Sequence, residues 1–139
     1  NLTAPYFLSL LCLPLLRKTK ESNIVNITSL NGKIAMLDNP AYNASKGGLS
    51  ALTFSQAMDF AKYKIRVNGV SPGYIKTNMT RKSYNDSIQY KKRVSRMMLD
   101  NYGTPEDVAN TVLFLSSSEA KYINSTEVVV DGGLLKKGI

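Results

Sequence analysis

The pair Tyr42 and Lys46 has the residue types and the spacing needed for proton transfer. In an α-helix, two residues four positions apart lie on one face, a single turn from each other. A tyrosine hydroxyl has an ordinary pKa of about 10, but a lysine ammonium beside it favours the phenolate. Lowering such a pKa to about 7 takes roughly 4 kcal/mol of preferential stabilisation. A partly desolvated cation, together with other positive charge, can supply this amount.

Two further segments carry groups that suit the same chemistry. Ser29 ends an apolar segment thirteen residues before Tyr42, and its hydroxyl can hold a substrate oxygen while the tyrosine exchanges the proton. A second apolar segment is followed by Ser-Pro-Gly-Tyr-Ile-Lys-Thr at 71–77, a loop in which backbone amides can face a ligand. A tyrosine and a lysine at this spacing also occur in helices without a catalytic role, and Pro-Gly also occurs in plain turns. Only the combination of these groups, in this order, therefore indicates a catalytic site.

This combination resembles the short-chain dehydrogenase/reductase family. The resemblance covers essentially all 139 residues, which correspond to the C-terminal half of a family member. It implies an oxidoreductase that interconverts a secondary alcohol and a ketone, with NAD or NADP as the cofactor that carries the hydride. The implied partner is a small-molecule alcohol or ketone.

The resemblance assigns catalytic roles to four residues. Tyr42 is the implied general acid/base, and Lys46 favours its phenolate and binds the nicotinamide ribose. Ser29 positions the substrate oxygen. Asn1, twenty-eight residues before Ser29, matches a fourth catalytic residue that supports a proton relay. Asn is also a common helix N-cap, so Asn1 keeps two interpretations.

The loop at 71–77 is the implied nicotinamide-binding segment. By resemblance, the backbone of Ile75 bonds the carboxamide, and the Thr77 hydroxyl contacts the carboxamide or a phosphate. The full set of implied cofactor contacts is Tyr42, Lys46, Pro72, Gly73, Ile75 and Thr77.

The elements that position these groups follow an α/β pattern. We predict half of a Rossmann-like doubly wound parallel sheet, with three strands and helices on both faces. The predicted strands cover 24–29, 65–70 and 127–130, and the predicted helices cover 1–17, 40–63 and a segment that starts at Pro105 with Thr104 as N-cap. The polar segment 78–99 is predicted to form one or two short helices in a mobile, substrate-contacting lid.

The apolar pattern of the helices also predicts their packing. Helix 1–17 is apolar around most of its circumference, which predicts burial on two sides. Gly47 and Gly48 each cost roughly 1 kcal/mol relative to Ala inside a helix, so they predict a close approach of another segment. The predicted buried stripe of the last helix consists of Val108, Val112, Leu113 and Leu115.

Composition excludes several classes of function. The chain has no His and one cysteine, Cys12, which excludes a Ser-His-Asp triad, an internal disulfide and a Cys/His metal cluster. The net charge of +8 comes from scattered basic residues, so we interpret it as solvated surface and expect no nucleic-acid partner. The apolar segment 4–16 is shorter than the roughly 20 residues that span a bilayer. We therefore expect a cytoplasmic protein without a metal or a membrane partner.

The sequence also indicates a fragment. It begins at Asn1 rather than Met and contains no G-x-G-x-x-G, so we interpret residues 1–139 as a partial NAD(P)-binding domain that is inactive alone. Such a half-sheet leaves an open edge at strand 24–29. By the family resemblance, the complete protein is expected to be a homodimer or homotetramer. The alternative is a non-catalytic, dimerising remnant that acts as an interaction module.

Overall fold

The computed structural model describes residues 1–37 and 39–137, which form a three-stranded parallel sheet flanked by helices. The strands are β1 (Asn23–Ile27), β2 (Arg66–Pro72) and β3 (Glu127–Val130), and β2 lies in the middle. The helices are α1 (Thr3–Leu16), α2 (Pro40–Ala61), α3 (Arg81–Asn85), α4 (Ser87–Val94) and α5 (Pro105–Ser116). The predicted α/β half-sheet is confirmed, and so are the two short helices of segment 78–99.

Helices cover both faces of the sheet. Leu13 of α1 and Phe60 of α2 pack with Val67 of β2, whereas Leu115 of α5 packs with Val70 on the other side. Val67 and Val70 are three residues apart in one strand and therefore point to opposite faces. The central strand thus carries two hydrophobic layers, and residues 67–71 of it are all buried.

Local sequence signals explain the start of α5. Thr104 and Asp107 form a capping box in which each side chain bonds the backbone N–H of the other residue. Hydrogen bonds from Thr104 lower the pKa of the Asp107 carboxyl, so the cap persists to mildly acidic pH. The predicted N-cap and helix start are confirmed.

One prediction about burial is wrong. Leu113 is 70% exposed, because it lies about 100° around α5 from Val112, on the solvent side of the stripe formed by Val108, Val112 and Leu115. The predicted burial of α1 on two sides stays a prediction, since within this single chain α1 reaches the core through Leu13 and Leu16. Its outward apolar side chains include Phe7, Leu8, Leu11 and Leu15, which are 54%, 63%, 76% and 65% exposed.

The outer edge of β1 is open, as predicted. Within the described residues, β1 pairs only with β2, and no strand covers its other side. An unpaired parallel edge beside an exposed apolar helix invites pairing with another segment. No helix in the described part of the chain combines the length and the apolar character needed to cross a membrane.

The turn after α2 contains a strained lysine. Lys64 has a φ of 59°, and the flanking hydrogen bonds run from Lys64 N–H to the carbonyl of Ala61 and from Ile65 N–H to the carbonyl of Phe60. This pattern closes many helices, and glycine usually occupies the left-handed position. For a residue with a Cβ, that conformation is less stable by about 1–2 kcal/mol than the right-handed one.

Replacing Lys64 by Gly is therefore expected to raise the free energy of unfolding by about 0.5–1 kcal/mol, after the larger entropy of glycine in the unfolded chain is deducted. Urea unfolding followed by circular dichroism measures the change. The matched control is Lys62→Gly, since Lys62 has a right-handed φ of −59° and gains nothing from glycine. Equal destabilisation of both variants would contradict the expectation.

Candidate active site

Ser29 lies two residues beyond the end of β1, at the carboxyl edge of the sheet where it was predicted. Its hydroxyl oxygen accepts a hydrogen bond of 3.2 Å from the N–H of Asn31, which caps a 3₁₀ helix at Leu30–Gly32. Leu30 is 1% exposed and packs against the buried Tyr102. The core thus holds the Ser29 turn in place, and among the described residues the hydroxyl proton has a single long contact of 3.5 Å, to Asn31 Oδ1.

Tyr42 and Lys46 lie on the first two turns of α2, on one face as their spacing predicts. The Lys46 ammonium is 5.8 Å from the centroid of the Tyr42 ring. It also donates a hydrogen bond of 2.7 Å to the carbonyl of Ile27, the last residue of β1. Burial lowers the pKa of Lys46. The half-buried cation therefore lies between the tyrosine and the carboxyl end of β1.

Close contacts hold the Ser29 turn against α2. A Cβ on Gly32 would lie 2.9 Å from the carbonyl oxygen of Lys46, so glycine is required for this approach. Beside it, Asn31 Nδ2 donates a hydrogen bond of 2.8 Å to Asn43 Oδ1. Asn31 and Asn43 were not predicted from the sequence, where their only signal is that they lie two residues after Ser29 and one residue after Tyr42. They join the two elements that carry the predicted catalytic groups.

The structure places Asn1 beside the same helix. Its side-chain amide donates a hydrogen bond of 3.3 Å to the hydroxyl of Ser45, which in turn donates to the carbonyl of Tyr42 at 2.8 Å. The N-cap position of α1 is Leu2, so the helix-cap interpretation of Asn1 is wrong. A Cβ on Gly48 would lie 2.8 Å from the Leu2 side chain, which explains one of the two helical glycines. A Cβ on Gly47 would lie 3.8 Å from the carbonyl oxygen of Gly32, an ordinary contact, so this approach does not require glycine.

The loop that follows β2 lies at the same edge of the sheet as Ser29, because parallel strands end together. Gly73 is required there, since a Cβ would lie 2.7 Å from the side chain of Asp131, and its N–H donates to the carbonyl of Val130. Ile75 is 8% exposed and forms a bridge with Gly103. The bridge bonds use the amides of Lys76 and Gly103 and not the Ile75 amide. Ile75 is therefore a fixed point in this loop.

Thr77 and Pro72 complete the predicted loop residues. Pro72 is the last residue of β2, and Thr77 is exposed. The Thr77 hydroxyl lies 3.3 Å from the hydroxyl of Thr80, which also accepts the N–H of Thr77 at 3.0 Å. The structure thus brings Ser29, the Tyr42 helix and this loop to one edge of the sheet.

Tyrosines pack the short helices of segment 78–99 against the site. The buried ring of Tyr102 stacks on Tyr90 at 5.4 Å and contacts Tyr74 and Tyr84 at 5.5 and 6.3 Å. Leu30, next to Ser29, belongs to the same cluster. Within the residues that the structure describes, no group of three or more His, Cys, Asp and Glu side chains is arranged to hold a metal ion.

A buried carboxylate ties the site to β3. The Glu127 side chain is 1% exposed and forms an ion pair with Lys33, which directly follows Gly32. Its second oxygen accepts a hydrogen bond of 2.7 Å from Ser50, one turn beyond Lys46 on α2. Burial raises the pKa of Glu127, but the bonds from Lys33 and Ser50 outweigh this effect, so the pKa lies below its usual value.

Comparisons with known proteins agree with this arrangement. Residues 1–135 match the family model described as enoyl-(acyl carrier protein) reductase. The 3-oxoacyl-[acyl-carrier-protein] reductase of Buchnera aphidicola is 39% identical over 96% of this chain and 54% of its own length. The chain thus spans about half the length of such relatives.

Solved structures show the same fold. A 4-hydroxyisoleucine dehydrogenase complexed with NADH superposes with a TM-score of 0.94 and 36% identity, over 99% of this chain and 57% of that one. A putative 2-deoxy-D-gluconate 3-dehydrogenase from Agrobacterium tumefaciens with bound NADP superposes with a TM-score of 0.91 and 36% identity. The match covers 96% of this chain and 55% of that one. The similarity extends through all three strands described above.

Proposed function

The chain belongs to the short-chain dehydrogenase/reductase family, and on this premise we propose that it is the catalytic half of an NAD(P)-dependent oxidoreductase. The proposed reaction interconverts a secondary alcohol and a ketone. The single observation that carries the proposal is the Lys46 ammonium held between the Tyr42 ring and the end of β1, next to the turn that carries Ser29. This edge of an α/β sheet is where such folds bind ligands.

In this proposal, each of the four predicted catalytic residues has a separate role in the proton transfer. During alcohol oxidation the Tyr42 phenolate accepts the hydroxyl proton of the substrate, and the Ser29 hydroxyl donates a hydrogen bond to the same oxygen. NAD or NADP supplies the hydride acceptor when bound. The Lys46 ammonium lies 5.8 Å from the centroid of the Tyr42 ring, where its positive charge attracts negative charge on the side chain during the transfer. Asn1 supports proton movement through Ser45, to which it is bonded.

The chain's own groups fit a nicotinamide cofactor. An ammonium has three donors, and in the part of the chain that the structure describes one donor of Lys46 bonds the carbonyl of Ile27, which leaves two for ribose hydroxyls. The bridge bonds leave the Ile75 amide unused for a carboxamide, and the Thr77 hydroxyl is exposed beside it. Pro72 and Gly73 form the turn that leads from the end of β2 to Ile75. The acidic or basic residue that distinguishes NAD from NADP follows the Gly-rich turn in this fold, and the 139 residues contain no such turn.

We also propose that these 139 residues alone do not turn over substrate, because they contain no Gly-rich turn to bind the pyrophosphate. A titration of NADH and of NADPH against the purified chain, followed by nicotinamide fluorescence, tests this. The expected result is no saturable binding by the chain alone, with binding and turnover restored when the preceding half of the dehydrogenase is added. Saturable binding by the chain alone would show that the residues on the nicotinamide side are sufficient for cofactor binding. If the chain binds no cofactor alone and adding the preceding half restores neither binding nor turnover, the catalytic proposal is wrong.

A second candidate function rests on the exposed apolar face of α1. A contiguous apolar face of this kind marks an interaction surface. In this alternative the chain is a non-catalytic module that self-associates, and in the first proposal the same face contributes to a homodimer or homotetramer. Sedimentation of the chain and of Leu11→Glu distinguishes an associating from a monomeric chain, and the cofactor titration above distinguishes the two functions.

A further inference from the structure

The amino ends of the strands, opposite the candidate active site, enclose a small basic cavity. It has a volume of about 220 Å³ and is lined by Lys20, Lys64, Arg66, Lys121, Glu21 and the serines at 116–118. Arg66 is the first residue of β2, whereas Ser29 and the loop at 71–77 follow the carboxyl ends. The cavity is therefore distinct from the site that the preceding proposal uses.

The fold brings together at this cavity basic residues that lie far apart in the sequence. Four cations face the cavity against one carboxylate, that of Glu21. The one ion pair in the described part of the chain joins Lys33 to Glu127, so Glu21 neutralises none of these cations by a direct contact. The carboxyl end of α5 contributes about half a negative charge, which leaves a clear excess of positive charge.

Arg66 is a rigid member of this group. Its guanidinium donates to the carbonyls of Leu115 and Ile123 through Nη1, at 2.9 and 3.3 Å, and to that of Ser117 through Nη2, at 3.2 Å. A guanidinium has five N–H donors, so two have no acceptor in the described part of the chain. Three carbonyl bonds fix its plane, which pre-organises the two remaining donors for an anion.

Lys64 reaches the cavity from the strained turn after α2. Its left-handed conformation is one that glycine would adopt without cost, yet the chain has a lysine whose side chain lines the cavity. Strain of this kind is often retained where a side chain has a function.

We propose that this cavity binds a phosphate group, either inorganic phosphate or the phosphate of a small monoester. Lysines suit the charge, the two remaining Arg66 donors suit the oxygens, and the hydroxyls of Ser116 and Ser118 supply neutral donors, whereas the Ser117 hydroxyl donates to the carbonyl of Phe114. The volume lies below the roughly 300–1,000 Å³ of pockets for drug-sized ligands, so the cavity holds the phosphate and not a whole nucleotide. The alternative is that the lysines only stabilise the carboxyl end of α5.

Thermal unfolding of the chain with increasing phosphate, at constant ionic strength and pH, tests the proposal. A ligand that binds the folded state raises Tm with a saturable dependence on its concentration, whereas exclusion of phosphate from the surface gives an effect without saturation. The variants are Lys64→Gly, which relieves backbone strain and so keeps the fold, and Lys121→Gln. The matched control is Lys62→Gln, whose ammonium lies 5.2 Å from the Tyr63 ring and outside the cavity.

The expected result is saturable stabilisation whose apparent Kd weakens at least about fivefold in Lys64→Gly and Lys121→Gln and stays unchanged in Lys62→Gln. Lack of saturation, or the same Kd in all variants, would overturn the proposal in favour of the helix-end role. Glycerol 3-phosphate in place of phosphate, with glycerol as its neutral counterpart, identifies the source. Tighter binding of the ester indicates a monoester ligand, and equal binding indicates the phosphate group alone.

Discussion

Replacing Tyr42 by Phe is expected to lower kcat of the complete dehydrogenase by roughly 10²–10⁴-fold, the contribution typical of a positioned general acid/base. The change removes the only atom of this side chain that can exchange a proton. It leaves the ring beside the Lys46 ammonium, so the cation keeps its contact. The Tyr42 hydroxyl makes no hydrogen bond within residues 1–37 and 39–137, so stability should change by less than about 0.5 kcal/mol.

Steady-state kinetics with the complete dehydrogenase, together with urea unfolding, separate the two effects. The matched control is Tyr122→Phe, which alters a fully exposed tyrosine and should leave both kcat and stability unchanged. Cofactor binding by Tyr42→Phe should also persist, because Lys46 and the loop at 71–77 are intact. Activity retained within a few fold would remove Tyr42 from the proposed role.

Replacing Glu127 by Gln is expected to lower the free energy of unfolding by about 2–3 kcal/mol. The substitution keeps the size of the side chain but leaves the Lys33 ammonium, 27% exposed, without its counter-charge. It also weakens the hydrogen bond from Ser50. Removing one partner of a buried ion pair costs several kcal/mol of stability. Because Lys33 is partly exposed, we expect a cost near the lower end of that range. Glu119→Gln, an exposed position, is the matched control and should change stability by less than about 0.5 kcal/mol.

The difference between the native chain and Glu127→Gln should depend on pH with a defined sign. The folded pKa of Glu127 lies below the value of about 4.3 for an unfolded glutamate, so the unfolded state binds more protons in this range. The stabilisation is therefore complete above about pH 4.3 and is lost as the pH falls through the lowered folded pKa. Urea unfolding at several pH values measures it, and a difference that stays constant down to about pH 3 would contradict the ion-pair account.

A lower activity of Glu127→Gln is also expected, because Glu127 bonds both the turn that follows Ser29 and the helix that carries Lys46. Glu127 acts through Lys33 and Ser50, the residues that it contacts. Its loss should therefore reduce kcat at temperatures well below the new Tm, whereas Glu119→Gln should not.

The sequence alone determined the features that depend on neighbours along the chain. The Thr104 capping box, the strand Glu127–Val130 and the shared face of Tyr42 and Lys46 all follow from local periodicity and side-chain chemistry. Such signals are read within one or two turns of backbone, so their boundaries lie close to those in the structure. The order of these motifs was also sufficient to predict the fold, because consecutive β-α-β segments have few possible parallel arrangements.

The tertiary structure alone decided which distant side chains meet. The bond between Asn31 and Asn43, the ion pair between Lys33 and Glu127, and the assembly of the basic cavity depend on strand register and on how closely α2 approaches the Ser29 turn. No periodicity in the sequence encodes these distances. Exposure of Leu113 and of the outer face of α1 was decided in the same way, because an apolar side chain is buried only where another element is present to cover it.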